Sequence, residues 1–106
     1  MNMTAEIGKT VTLRCRTTLQ TPVDWYYLPS PNAKDRTICA AGNIINGYSS
    51  RFALQRSAPG DFSLIVVKVI REDAGWYTCA EDGGYGLRHE IKLIIRGELN
   101  ILMCYI

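Results

Sequence analysis

Two residues apart on one strand, Tyr77 and Cys79 constrain this chain more than any other feature. The stretch Asp73-Ala74-Gly75-Trp76-Tyr77-Thr78-Cys79 reads as the end of a loop, a glycine corner, then a strand. Residues two apart on a strand share a face, so Tyr77 and Cys79 point inward while Trp76 and Thr78 point outward. An inward cysteine needs a partner or an apolar nest. Cys15 lies in a matching setting, because Val11, Leu13 and Cys15 share a face while Thr12 and Arg14 point away. Val23-Asp24-Trp25, between the two cysteines, puts an inward tryptophan on a third strand.

The four cysteines, Cys15, Cys39, Cys79 and Cys104, permit three pairings. The strand setting selects Cys15–Cys79. A bridge closing so long a loop is credited with about 4 kcal/mol by the chain-entropy model. A disulfide in the core implies an oxidising compartment, so the protein is expected outside the cell, secreted or on its surface. Asn2-Met3-Thr4 fits an N-glycosylation triplet, in agreement with secretion. The 106 residues are one domain's worth, and 47% hydrophobic with 21% charged is an ordinary globular composition. A net charge of +2 from scattered basic residues argues against nucleic acid as a partner. No apolar run reaches the roughly 20 residues of a membrane span, and no signal-peptide core opens the chain.

Alternation and turn chemistry divide the chain into short strands. An edge strand is expected over 4–8, then core strands over 9–17 and 23–28, with Pro29-Ser30-Pro31-Asn32 as a turn. A strand over 36–41 follows. Asn46-Gly47 gives a two-residue hairpin signal, since both residues tolerate positive φ. Strands over 50–55 and 61–67 flank a Pro59-Gly60 turn; Phe62, Leu64 and Val66 share a face, with Val69 just beyond. A last strand runs from His89 to Arg96, with Ile91, Leu93 and Ile95 on one face. Residues 97–106 leave this pattern as an apolar tail, read as a strand extension or a truncated stalk.

A cysteine, a tryptophan about ten residues on, then Tyr-x-Cys is the framework of an immunoglobulin sandwich. Over roughly Thr4 to Arg96 the sequence resembles a V-set immunoglobulin domain, of the kind found in antigen receptors or in ancestral chordate V-type proteins. The resemblance implies an all-β fold, a two-sheet antiparallel Greek-key sandwich of variable type, occupying 1–96. It implies that Trp25 packs on the disulfide, that Arg51 forms an ion pair with Asp73 across one end of the sandwich, and that Tyr77 makes a tyrosine corner near Asp73. The Phe-Gly-x-Gly motif that opens the last strand in rearranging receptors is missing; Leu87-Arg88-His89-Glu90 stands in its place.

No catalytic pattern is visible. The single histidine, His89, has no partner, and Gly83-Gly84-Tyr85-Gly86 precedes a strand rather than the helix a phosphate cradle needs. The chain is read as a non-enzyme with no metal and no cofactor. The function implied is immune-type recognition. Ligand, a protein or a carbohydrate, would bind at the loops, with Tyr48, Tyr85 and Arg88 as anchors. The chain would pair as a homodimer through the outer face of the sheet that the family letters G-F-C-C′, here the strands over 89–96, around Tyr77-Thr78-Cys79, over 23–28 and over 36–41. That face would show Tyr26, some of Ile38 and Ala40 or else Cys39, with Thr78 and Ala80. The other reading is an adhesion or structural domain whose main partner is itself or another V-set protein. Cys39 is read three ways: a buried free thiol, a partner of Cys104, or a link between two chains.

Overall fold

In the computed structural model, residues 1–17, 22–81 and 88–97 are described. Nine strands follow in order: β1 (Asn2–Glu6), β2 (Val11–Leu13), β3 (Val23–Leu28), β4 (Arg36–Ala40), β5 (Asn43–Ile44), β6 (Phe52–Gln55), β7 (Ser63–Val66), β8 (Gly75–Glu81) and β9 (Arg88–Arg96). A single 3-10 turn, Arg71–Asp73, separates β7 from β8. The strands form a six-stranded sheet in the order β1-β9-β8-β3-β4-β5 and a three-stranded sheet in the order β2-β7-β6. All pairings are antiparallel except β1 with β9. This is the variable-type sandwich.

The alternation read from the sequence decides which side chains fill the space between the sheets. In β3, Val23, Trp25 and Tyr27 are buried while Asp24, Tyr26 and Leu28 are half-exposed. In β8, Tyr77 and Cys79 point inward, and on β9 so do Ile91 and Leu93. Leu13, Cys15, Phe62, Leu64, Val66 and Val69 answer from the inner face of the small sheet and its flanks. Cys15 and Cys79 are bonded, with Cα atoms 6.5 Å apart. Trp25 stands opposite Cys79 in the β3–β8 ladder, and its indole N–H donates to Phe62 O across the core at 2.8 Å. The buried indole therefore has its partner.

The edge strand lies at Asn2–Glu6 rather than 4–8, and of the core strand expected over 9–17 only Val11–Leu13 is laddered. Two further features move. The hairpin joining β4 to β5 closes at Ala41-Gly42, not at Asn46-Gly47: Ala40 pairs Asn43, and Ala41 and Gly42 have φ of 50° and 79°. Both central residues at positive φ match the twist of the flanking strands. A Cβ on Gly42 would also lie 3.2 Å from the Phe62 ring. Asn46-Gly47 still makes a turn, with Tyr48 N–H donating to Ile45 O at 3.0 Å, but it joins no strand pair. The second shift is in β4. Cys39 faces Trp25 while Thr37 faces Tyr26, so Ile38 is an extra residue without an opposite number on β3. Such a bulge interrupts alternation, and both Ile38 and Cys39 turn into the core.

Candidate functional site

The outer face of the six-stranded sheet is built in rows. Tyr26 sits between Thr37 and Thr78, with Glu90 beyond Thr78. One row along are Leu28, Trp76 and Lys92; on the other side are Asp24, Ala80 and Arg88. The Lys92 ammonium lies 5.2 Å from the centre of the Trp76 ring. Asp24 holds the middle of this face together. One carboxylate oxygen accepts from the Tyr26 hydroxyl at 3.0 Å, and the other accepts from Ala41 N–H at 2.8 Å. Burial, then the bond to Asp24, raises the Tyr26 phenol above its ordinary pKa. The result is a half-buried aromatic centre, Tyr26 and Trp76, with charges of both signs around it: Asp24, Arg88, Glu90 and Lys92.

The β4 contribution to this face differs from expectation. Ile38 and Cys39 are buried to about 1% and 0% exposure and belong to the core, because of the bulge. Thr37 is exposed opposite Tyr26, and Ala40 remains half-exposed. Ala80 is fully covered despite its outward position. Cys39 is a free buried thiol whose S–H donates to Val23 O at 3.5 Å. Burial pushes this thiol up to about 11. Cys104 lies outside the described residues.

Tyr48, Tyr85 and Arg88 are not one cluster. Arg88 opens β9, exposed, opposite Ala80 near the loop end. Tyr85 lies outside the described residues. Tyr48 belongs to the opposite end. Its ring meets Phe52 edge-on at 5.9 Å, and it lines a cleft of about 210 Å³ with Tyr27, Arg51 and Asp73. The cause is the early hairpin: the chain reverses at Ala41-Gly42, and by Tyr48 it has run back to the far end. Glu81 is the last residue of β8 and is buried.

Each end of the sandwich contains a buried aspartate. At the end away from the loops, Asp73 takes an Arg51 guanidinium N–H at 2.5 Å and Ile70 N–H at 2.8 Å. Arg51 also donates to Val67 O and Lys68 O. The Tyr77 hydroxyl donates to Asp73 O at 2.7 Å, and burial raises its pKa. Beside it the Tyr27 hydroxyl lies 2.9 Å from Glu72 O and 2.5 Å from Ala74 O, with the two rings 4.8 Å apart. At the loop end, Asp61 accepts from Gln55, from the N–H and hydroxyl of Ser57, and from the N–H and hydroxyl of Ser63. Burial alone would raise the Asp61 carboxyl, yet these bonds together hold it well below the carboxylate range. Ser63 in turn accepts from Cys15 N–H at 3.1 Å, linking the cluster to the disulfide. Nothing in the sequence around Asp61 signals this cluster. Its partners are neutral, and no motif joins them.

Among the described residues no three of His, Cys, Asp or Glu are grouped so as to hold a metal ion. No helix among them is long and apolar enough to cross a membrane.

Comparison with known proteins agrees with this geometry. The immunoglobulin V-set domain family matches residues 1–96. The Ig kappa chain V region 3368 of Oryctolagus cuniculus is 30% identical over 83 residues, which cover 76% of this chain and 74% of that one. Among solved structures, the crystal structure of the ZIG-8 IG1 homodimer shares the fold at a TM-score of 0.75 and 11% identity, covering 91% of this chain and 78% of its own.

Proposed function

This chain belongs to the immunoglobulin V-set family, and from that premise we propose that residues 1–96 act as an extracellular recognition domain that pairs with a second copy of itself. V-set domains are in general binding domains rather than enzymes. Pairing uses the outer face of β9, β8, β3 and β4, and ligand, protein or carbohydrate, meets the loop end beside Arg88. The observation that carries the reading is Tyr26. It stands half-buried at the centre of the outer sheet face, and Asp24 accepts from its hydroxyl at 3.0 Å. A pre-positioned aromatic loses little rotamer freedom on docking. A self-pairing face must be its own complement, and Asp24 and Glu90 with Arg88 and Lys92 supply both signs of charge at its rim. The Cys15–Cys79 bridge favours the cell exterior. Homodimerisation of the ZIG-8 domain favours a surface whose main partner is another copy, so adhesion is the companion reading to immune recognition.

Light scattering after size exclusion tests this, with and without reductant, on wild type and Tyr26→Glu. The expected result is a dimer of the wild-type chain without N-glycans that survives reductant and is lost in Tyr26→Glu. A dimer lost only with reductant would move the contact to a cysteine. A monomer in every condition would sink the pairing and leave the loops as the binding surface.

A further inference from the structure

We propose that Asn2 is an N-glycan acceptor whose glycan stands over the β1–β9–β8 side of the outer sheet face and excludes a partner from it. The second half rests on the pairing reading above; the first does not. The triplet Asn2-Met3-Thr4 lies within β1, and the structure divides it cleanly. Asn2 and Thr4 are exposed, while Met3 between them packs against the core. The acceptor amide and the hydroxyl two residues on therefore share the outer face of the sheet.

Register fixes where a glycan would sit. Asn2 pairs with Lys92, Lys92 with Trp76, and Trp76 with Leu28, so all four occupy one row of the outer face. With strands about 4.8 Å apart, Asn2 is about 10 Å from Trp76 along that row. An oligosaccharide of several sugars exceeds that span. Among the described residues β1 is also an edge strand, paired on one side only. A glycan there fits without disturbing the ladder and blunts an edge open to further strand addition.

The transfer balances simply. The Asn2 carboxamide nitrogen attacks the anomeric carbon of an oligosaccharide carried on a polyprenyl diphosphate. The new N–C bond forms as the C–O bond to diphosphate breaks. The lipid diphosphate leaves with the electron pair, and the amide proton passes to a base of the transferase. The glycan then competes with a second copy for Trp76 and Lys92, so occupancy at Asn2 sets how much of the protein can pair.

The full chain, secreted from eukaryotic cells as wild type, Asn2→Gln and Thr4→Ser, tests this by three readouts. Mass before and after enzymatic removal of N-glycans reports the modification. Acrylamide quenching reports Trp76, because the other tryptophan, Trp25, is fully buried. Light scattering reports pairing. The expected wild type bears a removable glycan, quenches less than Asn2→Gln, and pairs at least about tenfold more weakly, the loss of about 1.4 kcal/mol of contact. Thr4→Ser, which keeps the hydroxyl, retains the glycan. A wild type of unmodified mass overturns the proposal. So does a glycosylated chain that quenches and pairs like Asn2→Gln. If every form is monomeric while the glycan still shields Trp76, the pairing reading fails and the placement of the glycan stands.

Discussion

The two ends of the sandwich bury a carboxylate by opposite means. Asp73 has a cation, Arg51, which is about one-third exposed and bonds Val67 O and Lys68 O as well. Asp61 has no cation among its partners. Five neutral donors from Gln55, Ser57 and Ser63 surround it at about 1% exposure. Removing the first carboxylate leaves an arginine that can turn to water. Removing the second leaves the buried N–H and hydroxyl of Ser63 without an acceptor, while Gln55 and Ser57 can turn to water. The conspicuous ion pair is thus the more tolerant of the two, and the inconspicuous cluster the less, because an unmade buried bond costs more than a partly exposed one.

That difference sets an order of effects. Asp61→Ala is expected to cost about 3 kcal/mol, chiefly from the two buried Ser63 donors left unpaired. Asp73→Ala is expected to cost about 2 kcal/mol, since Arg51 keeps its carbonyl partners. Urea unfolding of both variants checks the order, and a larger loss at Asp73 would break the comparison. The two ends also differ in acid. Asp61 has its folded-state pKa lowered, so its contribution is complete above the unfolded value of about 4 and is lost as pH falls below it. Unfolding curves between pH 7 and pH 2 should show wild type losing stability over that acid range. In Asp61→Asn, less stable at neutral pH, the decline should be shallower; an unchanged slope would remove Asp61 from the account.

Smaller effects sharpen the picture. Tyr77→Phe deletes the hydroxyl bond to Asp73 O while keeping the ring against Tyr27, and a loss of about 1 kcal/mol is expected in the same assay. Tyr26→Glu, on the outer face, should change stability by less than about 1 kcal/mol, even where it abolishes pairing. Cys39 should resist a thiol reagent in the native protein and react on unfolding, because its thiol is buried and its pKa pushed up to about 11. Fast labelling at Cys39 itself, mapped apart from Cys104 by peptide mass, would contradict the buried position.

Much of the framework was legible before any coordinates. Strand alternation is local: each residue's face follows from its neighbours two positions away. The span 23–28 was read to the residue, and so was the inward set of Tyr77, Cys79 and Trp25. The Pro59-Gly60 turn is likewise local, with Asp61 N–H donating to Ala58 O at 3.0 Å. The bulge at Ile38 was not legible. It arises from how β4 meets β3, and nothing in Arg36-Thr37-Ile38-Cys39-Ala40 alone breaks the period of two.

The sequence by itself determined the alternation of the strands and the bridge Cys15–Cys79, because each depends on a residue type at a fixed place on a strand, while the resemblance to the V-set pattern supplied the kind of sandwich, the ion pair Arg51–Asp73 and the corner Tyr77. Only the tertiary structure decided that the hairpin closes at Ala41-Gly42, that Tyr48 lies away from the loops, that Cys39 is core, and that Asp61 is surrounded by neutral donors. These depend on which strands meet and in what register. That is settled by packing between residues far apart in the chain, where a one-residue shift reverses the face of every side chain beyond it.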